Sequence, residues 1–396
     1  MRVLLSTIGT RGEVQPVLAL ALRLKELGRD VRVVAPPDFR DLLEGYGLDF
    51  VPVGPELRNA GAAQAKGVRP SPEAIRKMIT GTVTDQFAAV RAAAEGCDVL
   101  VGCGEMQFAA RSVAEFRGVP YFFAVYCPLT LPSEHHAPLQ VGQPPAPEGA
   151  GNRSRWELLA EHRTGLFGEV LNTHRAELGL SPVADVLSHA FTDRPLLAAD
   201  PVLAPWPAPS DLDVVQTGAW MVPDERPLPD ELEAFLAAGE PPIYFGFGSR
   251  HASADTGQEV IKAAKALGRR AIVLRGWADL SVDAEPGFLS VGEVNQQALF
   301  PRVAAVVHHG GAGTTTTATL SGSPQVVVPH HYDQPYFAQR VEELGIGVAH
   351  AATATPTADS LIEALGRALQ PEVADRARSV KVRTDGALVA AKHVAG

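Results

Sequence analysis

His308-His309-Gly310-Gly311-Ala312-Gly313-Thr314-Thr315-Thr316-Thr317 follows the aliphatic run Ala304-Ala305-Val306-Val307 and leads into a helical pattern over Gly313–Ser321. A strand that becomes a helix through glycine and threonine points the first helix amides outward with partial positive charge, and the missing side chains let a ligand reach the backbone. A phosphate or diphosphate is the natural guest of such a turn. Thr314 and Thr315 add hydroxyl donors and His309 an imidazole donor. A merely tight strand-to-helix turn explains the glycines alone equally well. The histidine before them and a polar cluster downstream favour the phosphate.

That cluster is Pro329-His330-His331-Tyr332-Asp333-Gln334-Pro335, at the end of the run Gln325–Val328 and the start of a helical pattern over Asp333–Leu344. Loops at the carboxyl ends of neighbouring parallel strands line one crevice, so Asp333 and Gln334 are placed to reach a group carried by the phosphates. A carboxylate beside an amide suits the hydroxyls of a sugar. Helix capping is the plain alternative for Asp333. Three further segments belong to the same half. Gly246-Phe247-Gly248-Ser249 offers a serine hydroxyl to a phosphate, Arg275-Gly276-Trp277 offers a ring that stacks on a nucleobase or packs in a core, and Gly292-Glu293-Val294-Asn295 adds a loop.

Outward from these turns, short β-branched runs alternate with helical patterns along the whole chain, the signature of parallel βα units. Strands are expected at Arg2–Thr7, Asp30–Ala35, Asp49–Val53, Val99–Cys103 and Tyr121–Val125, and again at Ile243–Gly246, Ala271–Leu274, Ala304–His308 and Gln325–Val328. A helix over Val17–Leu27 ends at Gly28, and others fall near Thr256–Leu267 and Ala358–Leu369. Pro128–Gly151 reads as a long loop of the kind that carries function. A proline-dense stretch from Pro201 to Pro229 separates the halves. The expected layout is a first domain over 1–205, a linker over 206–230 and a second domain over 231–396. Both domains are expected to be α/β, Rossmann-like and doubly wound.

The first strand also ends in a glycine turn, Gly9-Thr10-Arg11-Gly12-Glu13-Val14-Gln15-Pro16, which lacks the full dinucleotide spacing. Glu13 is a candidate general base there, against the plain reading of an acidic residue stabilised at a helix N-terminus.

Composition narrows the function classes. With 396 residues, 46% hydrophobic and 20% charged, the chain is globular and long enough for two domains. A net charge of −10 argues against nucleic acid, which needs a basic footprint. Cys97, Cys103 and Cys127 form neither a disulfide framework nor a zinc pattern, and no apolar run has the length of a membrane span. A cytoplasmic monomer is expected. Asp211-Leu212-Asp213 has a metal-binding spacing but lies in the proline-dense stretch and reads as solvated linker. The pairs His135-His136, His308-His309 and His330-His331 put adjacent rings on opposite faces, which is not a zinc arrangement.

Taken together, these motifs resemble the two-domain GT-B glycosyltransferases of family 1, most closely those that decorate glycopeptide antibiotics of the vancomycin and teicoplanin type. The resemblance covers nearly the whole chain. It is carried by Met1-Arg2-Val3-Leu4-Leu5 with Arg11-Gly12, Ala94-Glu95-Gly96-Cys97, Arg111-Ser112-Val113-Ala114-Glu115, Ala198-Ala199-Asp200-Pro201-Val202-Leu203 and Gln216-Thr217-Gly218-Ala219-Trp220. Asp224-Glu225-Arg226-Pro227-Leu228, Arg275-Gly276-Trp277-Ala278-Asp279-Leu280 and Gly292-Glu293-Val294-Asn295 continue it.

The resemblance implies inverting transfer of a hexose or aminosugar from a UDP- or TDP-linked donor to a glycopeptide-like acceptor, with no metal or other cofactor. It makes 1–205 the acceptor-binding domain and 231–396 the nucleotide-sugar domain, with the last helix returning to the first. It assigns His309, Gly311, Ala312, Gly313 and Thr314 to the diphosphate, Ser249 to a phosphate oxygen and Arg275, Trp277 and Val294 to the nucleoside. Asp333 and Gln334 go to sugar hydroxyls, and Thr10, Arg11 and Gly12 also go to the nucleotide sugar. The base in many antibiotic members is an aspartate where this chain has Glu13, so Asp333 stands as the alternative base. A macrolide or polyketide acceptor, a nucleotide-sugar epimerase and a non-catalytic sugar-nucleotide sensor are the rival readings. A nicotinamide oxidoreductase fails on the incomplete glycine fingerprint of the first turn.

Overall fold

The computed structural model describes residues 1–57, 71–140, 142–247, 254–276, 282, 285–351 and 356–396. Two compact units divide the chain. The first comprises Met1–Asp200, Pro205–Val222 and Thr384–Gly396, and the second comprises Pro201–Ala204 and Pro223–Arg383.

In the first unit β1 (Arg2–Ser6), β2 (Asp30–Ala35), β3 (Asp49–Pro52), β4 (Val99–Cys103), β5 (Tyr121–Val125), β6 (Leu196–Leu197) and β7 (Val215–Gln216) form one parallel sheet. Its order is β3-β2-β1-β4-β5-β6-β7, with Val3 paired to both Val31 and Val99. Val3, Leu4 and Leu5 point alternately to the two faces and all three are fully buried, so helices cover both sides. Burying each such side chain contributes about 1.5–3 kcal/mol. The strand order reverses between β1 and β4, and that switch point is where open α/β sheets leave a crevice.

In the second unit β8 (Ile243–Gly246), β9 (Ala271–Leu274), β10 (Phe288–Val291), β11 (Ala305–His308), β12 (Gln325–Val327) and β13 (Gly347–Ala349) are again all parallel. The order is β10-β9-β8-β11-β12-β13 and the switch lies between β8 and β11, with His308 opposite Gly246. Both sheets are doubly wound and Rossmann-like, as expected. In each of them the glycine turn that the sequence singles out follows a strand at the switch point.

Differences from expectation have local causes. The first helix starts at Arg11 and runs to Glu26. Pro16 lies inside it and donates no bond to the carbonyl four residues back, but that residue is the exposed Gly12 in the first turn of the helix. Strands β10 and β13 are too short and too mixed, with Ser290 and Gly347, to stand out in the sequence. Pro128–Gly151 contains the 3-10 turn Pro128–Thr130 and is otherwise irregular among its described residues. Trp156 Nε1 donates to the His136 carbonyl at 3.0 Å, and Asn152 donates to the Glu134 carbonyl at 2.9 Å. Asp211 and Asp213 are solvated and ion-paired to Arg153 and Arg194. Among the described residues no helix is long and apolar enough to cross a membrane.

The helix Gly386–Ala395 packs against Arg11–Glu26 within the first unit, burying Ala387, Ala390, Ala391 and Val394 in the same core as Val17 and Trp220. Gly386 starts that helix where a Cβ would stand 2.4 Å from the Gly218 carbonyl carbon and oxygen. Backbone on both sides cannot give way. Gly386→Ala is therefore expected to lower the stability of the first unit by about 1–3 kcal/mol, the usual cost of overpacking. Urea denaturation followed at the Trp220 environment checks it, and an unchanged midpoint contradicts the tight seat.

Candidate functional site

The helix Ala312–Ser321 is capped by Gly311, whose extended backbone puts no side chain over the helix end. The first intrahelical bond in this turn is from the Thr315 N–H to the Gly311 carbonyl at 3.0 Å, so the amides of Ala312, Gly313 and Thr314 precede the helical ladder. They face outward at the positive end of the helix dipole. Gly311 has a second reason to be glycine: a Cβ there would lie 2.6 Å from His309 Nε2, so the imidazole lies against the turn. Gly310 has φ of +90°, and its Cβ would meet Val327 Cγ1 at 2.7 Å and the Gln334 carbonyl at 3.0 Å. Only glycine allows the turn to press against β12 and the next helix.

His309 Nδ1 is buried and has no hydrogen-bond partner among the described residues. Burial pushes the imidazole down to about 4, with His330 and His331 adding to the effect and the Gly246 carbonyl opposing it. The ring atom that lies against the turn is Nε2. Thr315 differs from expectation. It is fully buried and gives its hydroxyl hydrogen to the Gly311 carbonyl at 2.9 Å, and Thr316 and Thr317 do the same to Ala312 and Gly313. Thr314 is half-buried and stays at the turn.

The next strand end brings its own polar groups to this turn. Gln334 is buried, and its Oε1 accepts the N–H groups of His330 at 2.9 Å and His331 at 3.4 Å. Its carboxamide oxygen thus shapes the loop. Asp333 holds the N-cap position of the helix Gln334–Glu343 but makes no capping bond with its side chain, contrary to the plain capping reading. Tyr332, just before Asp333, has φ of +61°, a conformation that costs a non-glycine residue energy and that clusters at functional sites.

Farther along the sheet, Arg275 follows β9 and is exposed, its N–H bonded to the Val291 carbonyl at 2.9 Å. Val294 packs against the core beneath β10. Asn295 is structural: its NH2 donates to the Asp224 and Arg226 carbonyls and its oxygen caps Ala298. Ser249 and Trp277 lie outside the described residues.

In the first unit Thr10 is the exposed N-cap of the helix Arg11–Glu26, followed by half-buried Arg11, exposed Gly12 and half-buried Glu13. The Glu13 carboxylate fills space that two glycines leave open. A Cβ on Gly9 would lie 1.6 Å from Glu13 Oε2, and one on Gly104, whose φ is +93°, would lie 3.0 Å from Cδ. Gly104 follows β4, so Glu13 reaches across the switch point of its sheet. Thr7 Oγ1 donates to Oε2 at 3.5 Å, and the Tyr126 hydroxyl donates to the Glu13 carbonyl at 3.1 Å. Gly104 and Tyr126 were not legible as site neighbours, because nothing near them in sequence marks the contact.

One constellation looks catalytic and is not. Ser112 Oγ lies 2.9 Å from His189 Nε2, and His189 Nδ1 lies 3.8 Å from Glu115. Ser112 is fully buried, and its oxygen also accepts from Arg175 at 2.9 Å. The group is a core ion network without access for a substrate.

Residues 3–135 match the glycosyltransferase family 28 N-terminal domain, and residues 273–391 match the erythromycin biosynthesis protein CIII-like C-terminal domain. A glycosyltransferase GtfE of Amycolatopsis orientalis is 52% identical, with 99% of this chain and 96% of the relative covered. A vancomycin aglycone glucosyltransferase of the same organism is 49% identical over the same shares. Among solved structures, the glycotransferase of kitacinnamycin superposes with a TM-score of 0.72 at 20% identity, covering 100% of this chain and 96% of that one, which shows the fold.

Three imidazoles are held far below their ordinary range by burial: His308 to about 3, and His189 and His309 to about 4. Unfolded, they take up protons near 6.5. Between that value and about 4 the unfolded chain therefore binds more protons, and stability falls as pH falls through this window. Chemical denaturation from pH 7 to 4.5 is expected to show both units losing stability, at most about 1.4 kcal/mol per pH unit for each imidazole. Stability that is flat across this range contradicts the neutral, buried rings.

Proposed function

The chain belongs to the GT-B glycosyltransferases, and from that premise we propose that it moves a hexose or aminosugar from a UDP- or TDP-linked donor to a hydroxyl of a glycopeptide aglycone. The observation that carries the donor half is the helix end at Ala312–Thr314 with the His309 ring against it, Nε2 toward Gly311. For the acceptor class the support is the 49% identity to a vancomycin aglycone glucosyltransferase.

In this reading the acceptor hydroxyl attacks the anomeric carbon in line, the bond to the diphosphate oxygen breaks, and the configuration inverts. Negative charge grows on the leaving diphosphate. The amides of Ala312, Gly313 and Thr314, with Gly311 giving close approach, and the imidazole of His309 stabilise it at no reorganisation cost, so neither zinc nor magnesium is needed. Asp333 and the NH2 of Gln334 hold sugar hydroxyls. Ser249 takes a phosphate oxygen, and Arg275, Trp277 and Val294 hold the nucleoside. Glu13 accepts the acceptor proton, and Thr10, Arg11 and Gly12 form the rest of its turn. Glutamate is one methylene longer than the aspartate of the resembled enzymes, and the open space at Gly9 and Gly104 accommodates that length.

Mass spectrometry of vancomycin-type and teicoplanin-type aglycones incubated with a panel of nucleotide sugars tests the proposal. One added hexose or aminosugar is expected, at the same rate in EDTA. Glu13→Gln is expected to lower turnover by roughly 10²–10⁴-fold with the donor KM unchanged, and Glu13→Asp to keep measurable activity. Conversion of the nucleotide sugar with no mass added to any aglycone would favour an epimerase. Full activity of Glu13→Gln with collapse in Asp333→Asn moves the base to Asp333.

A further inference from the structure

His308, the last residue of β11, has no part in the roles above, yet both nitrogens of its ring are engaged. The Gly310 N–H donates to Nδ1 at 3.1 Å, and Nε2 lies 2.9 Å from Gln325 Oε1. Because Nδ1 accepts, the proton is on Nε2 and is donated to Gln325. The Gln325 NH2 donates in turn to Thr319 Oγ1 at 3.0 Å, and Thr319 Oγ1 donates to the Thr315 carbonyl at 2.8 Å. His308, Gln325 and Thr315 are fully buried and Thr319 nearly so. Four hydrogen bonds thus run from the second residue after His308, through the ends of two strands, into the body of the helix whose N-terminus faces outward.

Such a chain has a direction. A protonated ring would have no lone pair for the Gly310 amide, and burial keeps the ring neutral at working pH. The other tautomer would set an N–H against that amide. Gly310 has no side chain, and only glycine tolerates its φ of +90° and its contact with the Gln334 backbone. The imidazole is therefore what orients this peptide.

We propose that His308 is a positioning residue for nucleoside diphosphate binding: its neutral ring draws the Gly310 amide inward and so aims the His309 ring and the amides of Ala312 to Thr314 at the diphosphate. This rests on the reading of the 309–314 turn as the donor site. His308 touches no substrate. It acts through Gly310.

Two substitutions separate this role from simple core packing. In His308→Asn the side-chain oxygen stands near the place of Nδ1 and still accepts from Gly310. In His308→Gln the amide stands near the place of Nε2 and keeps Gln325, but loses Gly310. Each leaves one buried partner unmet, so both lower the thermal midpoint to a similar extent. Calorimetric titration with thymidine diphosphate is expected to show binding weakened by about tenfold or more in His308→Gln and by less than about threefold in His308→Asn, with the acceptor KM unchanged in both. Equal weakening in the two variants, or none in either, overturns the positioning role. Absence of binding by the wild-type protein overturns the donor-site reading instead. A check without any variant is the ¹⁵N spectrum of the wild-type imidazoles: a His308 carrying its proton on Nε2 supports the proposal, and one carrying it on Nδ1 overturns it.

Discussion

Three amides, those of Ala312, Gly313 and Thr314, come before the first hydrogen bond of their helix, and most of what surrounds them keeps them facing outward. A helix cannot satisfy its first donors from within, so they need a cap, water or a ligand. Here the cap residue is glycine, and the threonine hydroxyls that follow are turned back onto carbonyls. The site needs β11 at the switch point of its sheet, because only there does the turn after a strand open into a crevice. It also needs Gly310 without a Cβ, since the turn leans on the backbone of Gln334. Strand order, glycine placement and the buried His308–Gln325 pair all serve that one helix end.

The two adjacent histidines show how one sequence pair divides its labour. Alternation along a strand sends successive side chains to opposite faces. His308 falls inward and is fixed between a backbone amide and a carboxamide, whereas His309 rests on Gly311 with a nitrogen unmatched. Both are neutral for the same reason, burial, but one spends its hydrogen bonds on the fold and the other holds one back. In the first unit the same economy appears at Glu13. Its carboxylate lies where Gly9 and Gly104 have nothing, at the switch point between β1 and β4.

Strong local pattern makes much of this readable from the sequence alone. The strands Asp30–Ala35, Val99–Cys103, Tyr121–Val125, Ile243–Gly246 and Ala271–Leu274 are aliphatic runs bounded by turn residues, and their limits agree with the structure. The glycine turn was legible because glycine and threonine between a strand and a helix have few other uses. What escaped was set by contacts between distant segments. Phe288–Val291 is a strand because it pairs with Ala271–Leu274, and its own four residues say little. Thr315 read as a hydroxyl donor, because the sequence does not show which way a threonine at a helix start will turn. Gln325 read only as the first residue of a strand, and its partnership with His308 depends on the register between β11 and β12.

The central claim is that the helix end at Ala312–Thr314 and His309 together hold the donor diphosphate. A crystal structure of the protein with thymidine diphosphate tests it most directly. The account predicts phosphate oxygens about 3 Å from the amide nitrogens of Ala312 to Thr314, with a phosphate oxygen also at His309 Nε2, the ring nitrogen that lies against Gly311. Diphosphate bound elsewhere, with these amides and the His309 ring facing only water, would contradict it.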